Sequence, residues 1–334
     1  MSTVCAGSLV QAERLQVYIL VGQSNMQGHA KTSTFDYIRR DPQTAPMLKD
    51  MLDASGKPVV CKNVWISHVE DMGDLQAGAG RLTAGYGADY RPGKLGERIG
   101  PEYTFGITMQ KLVDAPILII KSAWGGKSLH TDFRPPSAAT AESPTGEFYQ
   151  RMLEHVQKVL ADPGQIVPSY DPAVGYEIAG FVWFQGWNDM VAGNVYPQRN
   201  QPGGYDLYTE LLAQFIRDVR RDFGAPDMRF VIGVMGVGGP TELYESPRYK
   251  GVHQNFRDAM AAPASMPEFK GNTVAVLTEA FWDHELDAVM QKKERTEEEQ
   301  EIARGASNRG FHYLGAAKIL GQIGVAFAEA MVAE

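Results

Sequence analysis

The sequence predicts an α/β fold, a three-layer α/β/α sandwich around a central, mainly parallel sheet. Three observations lead there. Short apolar runs rich in β-branched or aromatic residues recur at 16–21, 63–69, 115–121, 178–184, 229–234 and 273–277. Helical patterns lie between several of them, at 102–112, 146–160, 205–223 and 248–261. Strands alternating with helices imply a parallel sheet covered on both faces, joined by right-handed crossovers. Third, several runs end in turns that carry polar, reactive residues, and open α/β sheets bind ligands at the carboxyl ends of their strands.

Along the chain, the run 16–21 comes first and ends in Gly22-Gln23-Ser24-Asn25, a strand delivering a serine into a sharp turn. Segments 71–100 and 134–144 are rich in Gly, Pro, Ser and Thr and read as loop insertions of a single domain spanning 1–334. The charged run 292–304 reads as a solvated helix, and 314–331 as a closing amphipathic helix. No repeat or domain boundary is visible.

Composition narrows the function. Of 334 residues, 44% are hydrophobic and 22% charged, ordinary for a globular protein, and the net charge of -8 argues against nucleic acid or an anionic membrane as partner. Two cysteines, Cys5 and Cys61, can pair but make no disulfide framework. No apolar run approaches bilayer length. The first sixteen residues lack a signal peptide's basic start and long apolar segment, so the chain is expected to be cytoplasmic or to have lost an export signal. His130 and Asp132 hint at a metal, but no second ligand pair sits at helical spacing, so neither metal nor cofactor is expected.

Four sites suit one reaction. Ser24 is a candidate nucleophile that needs an adjacent base; taken alone it reads better as a turn serine or helix N-cap. It is not the Gly-x-Ser-x-Gly elbow, because Met26 replaces the second glycine. Trp124-Gly125-Gly126 comes after the third strand candidate, and paired glycines let backbone N–H groups approach an anion, or simply make a tight turn. Gln185-Gly186-Trp187-Asn188-Asp189 ends the fourth, where Asn188 can donate to an oxyanion or close an Asx-turn. His312, in a loop before the last helix, can act as general base, though a lone histidine is more often structural. Parallel strands bring such ends to one edge, so the four can converge.

Together these blocks resemble the SGNH hydrolase superfamily, named for Ser, Gly, Asn and His. Gly22-Gln-Ser-Asn-Met26, Trp124-Gly-Gly126 and Phe184-Gln-Gly-Trp-Asn-Asp189 look most like its sialate O-acetylesterase-like branch, which includes carbohydrate acetylesterases; Ile99-Gly-Pro-Glu-Tyr-Thr-Phe-Gly106 does too. The resemblance implies a flavodoxin-like sandwich and a metal-independent serine esterase that removes O-acetyl groups from a carbohydrate. Ser24 would attack, His312 would shuttle the proton, and the N–H groups of Ser24 and Gly126 with the Asn188 amide would hold the oxyanion. Gln23, Gln185, Trp187 and His130 are candidate substrate contacts. One position departs from the pattern. The family's aspartate three residues before the histidine is Arg309 here. Asp283 is the first candidate to replace it, with Asp189 and Glu279 as rivals, and a dyad without an acid is also open. His284, beside Asp283, is a rival base. The alternatives to the esterase are a carbohydrate-binding protein of the same fold with little or no catalysis, and an esterase for non-carbohydrate short-chain esters.

Overall fold

The computed structural model describes residues 13–69, 78–91 and 93–333. Part of the 71–100 insertion and Cys5 therefore lie outside the described residues. Cys61 is a buried, free thiol.

Among the described residues nine strands form: β1 (Leu15–Gly22), β2 (Ala30–Lys31), β3 (Val64–Val69), β4 (Gly78–Arg81), β5 (Arg98–Ile99), β6 (Ile117–Ala123), β7 (Tyr176–Phe184), β8 (Arg229–Val234) and β9 (Thr273–Leu277). Seven build the central sheet in the order β4-β3-β6-β1-β7-β8-β9. Every neighbouring pair is parallel except β3 with β4. The six apolar runs of the sequence are the six parallel strands. Val17, Ile19, Ile119, Ile120, Val182, Trp183, Val231 and Ile232 are all fully buried, the pattern of a sheet covered on both faces. The antiparallel edge strand β4 and the small β2–β5 pair arise in polar segments with no strand periodicity, which is why the sequence reads them only as loop.

Helices cover both faces. Glu102–Leu112 packs against Ala317–Val332, with Thr104 Oγ1 donating to Gly321 O at 2.8 Å. Glu147–Ala161 carries His155, wholly buried between Ser67 and Ser122 on β3 and β6. The charged run contains the helix Glu297–Ala303, opened by a Thr296–Glu299 capping box. Among the described residues no helix is long and apolar enough to cross a membrane.

Strand register aligns the turns at the carboxyl edge. Gly22 pairs with Ala123 of β6 on one side and Phe184 of β7 on the other. The three central strands therefore end level, where the chain crosses from one side of β1 to the other. That is the topological switch point of the sheet.

Beneath it lies a buried ion pair. Lys121 Nζ, on β6, lies 2.8 Å from Glu102 Oε2, and both side chains are 0% exposed. The ammonium also donates to Gln27 O and Tyr86 O, and Glu102 Oε1 accepts from Gly100 N. Removing one partner strands a buried charge. We expect Glu102→Ala to cost about 3–5 kcal/mol in urea unfolding, and Lys121→Met with Glu102→Leu to cost less than the single change. A single-mutant cost below ~1 kcal/mol would mean that the site is already hydrated.

Candidate active site

Three turns leave the level strand ends. After β1 the chain enters a one-turn helix, Ser24–Gln27, with Ser24 at its first position and buried. Gly22 is obligatory before it, since a Cβ there would lie 2.1 Å from the carbonyl oxygen of Phe184. After β6, Gly125 and Gly126 are exposed, and Gly126 takes a left-handed φ of 74° that favours glycine. A Cβ on Gly125 would lie 3.9 Å from Ser24 Cβ, so this backbone runs directly beside the serine. After β7, Gly186 opens the short helix Trp187–Val191, which carries Asn188.

Gln23 locks the first and third turns together. Its Oε1 accepts from Gly186 N at 3.1 Å, Asn188 N at 3.4 Å and Gln185 Nε2 at 3.3 Å. Its Nε2 donates to Asn188 Oδ1 at 2.9 Å. An amide whose oxygen is occupied by three donors can face Asn188 only with its nitrogen. Asn188 must therefore answer with its oxygen, which leaves its Nδ2 free to donate. Gln23 is thus a buried frame for these turns. Gln185 is a frame too: it is 2% exposed and its amide is used by Lys127 O, Asp189 and Tyr208. Burial and these bonds give both side chains a role within the protein's own turns.

Asp189 fixes the second turn to the third. Its fully buried carboxylate accepts from Leu129 N, His130 N, Gln185 Nε2 and Tyr196 Oη, and lies 2.8 Å from His130 Nδ1. Asp132 holds the same loop through Ser128 N and Oγ. Among the described residues no group of three or more side chains suited to a metal ion occurs.

His312 arrives from the loop before the last helix. Asn25 Nδ2, one residue past the serine, donates to Phe311 O, one residue before the histidine, at 3.2 Å. That loop is strained: Tyr313 and Leu314 have φ of 51° and 60°, rare for non-glycine residues, and Gly315 comes next at 57°. The buried Tyr313 hydroxyl offsets the strain, accepting from Gly236 N at 2.8 Å and meeting Thr278 Oγ1 at 2.6 Å, beyond the ends of β8 and β9. Burial, then the Arg98 guanidinium, pushes the His312 pKa down to about 4, so the ring is neutral at pH 7. Its Nδ1 lies 3.1 Å from Asn308 Oδ1, and its face stacks on His29. Phe311 and Trp187 stand 5.8 Å apart beside it, both partly exposed.

None of the three candidate acids reaches this imidazole. Asp283 caps the helix His284–Met290 through Leu286 N, and its other oxygen takes Tyr37 Oη and Lys318 Nζ. Glu279 pairs with Arg257. Asp189 serves the loop of His130. The Lys318 ammonium and the helix start claim Asp283 more strongly than a neutral ring can. His284 is exposed and lies against Gly239 rather than with Ser24. Asn308 and His29 were not singled out by the sequence. Asn308 precedes His312 by four residues, one outside the usual spacing, and the His29 contact exists only in three dimensions.

Comparison with known proteins accords with this architecture. A family model described as "Carbohydrate esterase, sialic acid-specific acetylesterase" matches residues 14–270. That span holds Ser24, Gly126 and Asn188, with His312 beyond it. No curated protein matches. Among solved structures, a protein from Arabidopsis thaliana is 15% identical with a TM-score of 0.54, covering 95% of this chain and 97% of its own. NanS is 13% identical, TM-score 0.45, with 80% and 78% covered. A carbohydrate acetylesterase from Xanthomonas citri is 17% identical, TM-score 0.43, with 78% and 49% covered.

The close approach at Gly22 gives a direct check on this geometry. Gly22→Ala should cost about 3 kcal/mol in chemical unfolding, because the clash is with backbone and relieving it separates β1 from β7. Wild-type stability in that variant would place the turn elsewhere.

Proposed function

The chain belongs to the carbohydrate esterase family of sialic acid-specific acetylesterases, and from that premise we propose that it is a serine esterase removing O-acetyl groups from a carbohydrate. The observation that carries this reading is the Asn188 amide, whose nitrogen Gln23 leaves free to donate at the strand ends beside Ser24. Such a donor suits the negative oxygen of a tetrahedral intermediate.

In this reading Ser24 Oγ attacks the acetyl carbonyl while His312 Nε2 takes its proton. The carbonyl oxygen becomes an oxyanion held by Asn188 Nδ2 and the N–H groups of Ser24 and Gly126. His312 then protonates the departing sugar alkoxide, which leaves an acetyl-serine. Water, deprotonated by the same imidazole, attacks that ester and releases acetate. Trp187 and Phe311 offer an aromatic wall on which a sugar ring can lie, and His130, held by Asp189, borders the glycine turn.

The test is acetate release from p-nitrophenyl acetate and acetylated xylan. Ser24→Ala and His312→Ala should abolish it, and Asn188→Ala should lower kcat by about 10²–10³-fold. Because burial and Arg98 hold His312 down to about 4, the base form persists well below the ordinary histidine value. The acid limb of kcat/KM should therefore fall near pH 4. The same shift sets a stability trend. Between 6.5 and the folded values of about 4 for His312 and about 3 for His29, the unfolded chain binds protons that the folded chain does not. Stability should thus decline as pH drops through that window. Sugar binding with no hydrolysis and no labelling by a serine-directed organophosphonate would replace the reading with a carbohydrate-binding protein. A preference for longer acyl esters without a sugar would move it to another ester class.

A further inference from the structure

A general base serving Ser24 needs two things. Its Nε2 must carry the lone pair, and its ring must hold one plane while the proton comes and goes. A carboxylate ordinarily supplies both, but position 309 is an arginine and Asp189, Asp283 and Glu279 are committed elsewhere. Besides its chain neighbour Phe311, whose ring centroid is 4.5 Å away, Asn308 and His29 touch the ring among the described residues.

Asn308 Oδ1 lies 3.1 Å from His312 Nδ1. Its identity as the oxygen is fixed locally, because the same atom accepts from Arg309 N at 2.7 Å. A carbonyl oxygen only accepts, so it selects the tautomer with hydrogen on Nδ1 and the lone pair on Nε2. Asn308 is itself held by the loop, its N–H and that of Ser307 both donating to Leu314 O at 2.9 Å. His29 covers the ring's face: the centroids are 4.0 Å apart and the planes differ by 2°. His29 is tied to the same loop, its carbonyl accepting from Ser307 Oγ at 3.4 Å, while Lys31 N donates to Ser307 Oγ at 3.0 Å.

We propose that Asn308 and His29 are the positioning residues of His312 and together replace the acid of a triad: Asn308 sets its tautomer, and His29 sets its ring plane. The inference rests on the esterase reading of Ser24 and His312. His29 stays neutral at working pH, since burial first, then the positive charge of His312, Arg98 and Lys121, lowers its pKa to about 3. It therefore offers the forming imidazolium an aromatic face rather than a second charge. The charged and titratable groups that face His312 are His29 and, from β5, Arg98, with Lys121 behind His29. Among the described residues no carboxylate joins them. Introducing one at position 308 thus changes the electrostatics of the base with almost no change in shape.

The experiment measures kcat, KM and the pH profile of kcat/KM on p-nitrophenyl acetate for the whole chain. The variants are Asn308→Asp, Asn308→Ala, His29→Ala and His29→Phe, with Ser24→Ala and His312→Ala as references and thermal unfolding of each. Asn308→Asp should move the acid limb upward by about 1–2 pH units, since a carboxylate favours the imidazolium. Asn308→Ala should lower kcat about tenfold or more with little change in KM. His29→Ala should lower kcat about 3- to 10-fold, and His29→Phe, which keeps the stack, should recover most of it. If Ser24→Ala or His312→Ala stays active, the esterase reading itself fails. If both are dead, an acid limb unmoved in Asn308→Asp, or a His29→Phe no better than His29→Ala, overturns this inference alone. A lowered melting temperature with wild-type kcat and limb marks a purely structural role and also overturns it.

Discussion

The site stands on one buried charge. Lys121 Nζ joins the last turn of the serine helix at Gln27 O, the loop at Tyr86 O and the Glu102 carboxylate, all at 2.8 Å. A fully desolvated ammonium is tolerated only where acceptors surround it. That demand brings β6, the serine turn and the start of helix Glu102–Leu112 together at one point. The Gly100-Pro101-Glu102 stretch is where the demand is met, with Gly28 packed so tightly on Gly100 that neither accepts a Cβ.

From that base, order is passed upward by side chains that no substrate needs to touch. Gln23 turns Asn188, Asp189 gathers the loop of His130, and Tyr313 pins the histidine loop beyond β8 and β9. Each is buried, and each spends its hydrogen bonds on the protein's own turns. The left-handed Tyr313 and Leu314 occur where the loop that carries His312 is tied to Asn25 beside the serine and must at once enter the last helix. Strain of about 1–3 kcal/mol per such residue persists only where neighbours over-determine the conformation.

On the proposed reading, Asn308 stands where the missing aspartate would act. A loop that puts Asn308 rather than an acid on Nδ1 gives up the charge that would favour imidazolium, and the nearby Arg98 pushes the same way. The result is an imidazole that stays neutral far into acid, paired with a stacked histidine that burial keeps neutral too.

The sequence by itself determined the parallel sheet and which residues follow its strand ends. Six apolar runs and their closing motifs are local patterns, and in a parallel sheet local patterns dictate which residues share an edge. Ser24, Gly126 and Asn188 could be assigned to one edge of the sheet for that reason. The structure alone decided what surrounds them. Gln23 and Gln185 look in sequence like exposed sugar contacts, whereas the structure buries both and binds their amides to the protein's own turns. Asp283 comes after a strand that ends at the same edge, yet Lys318, thirty-five residues later, claims its carboxylate. The contact between His29 and His312 links residues 283 positions apart through a stack that leaves no periodic trace. Which end of a strand carries chemistry is written in the chain's local order; which neighbour tunes it depends on packing between distant segments, and no local pattern encodes that.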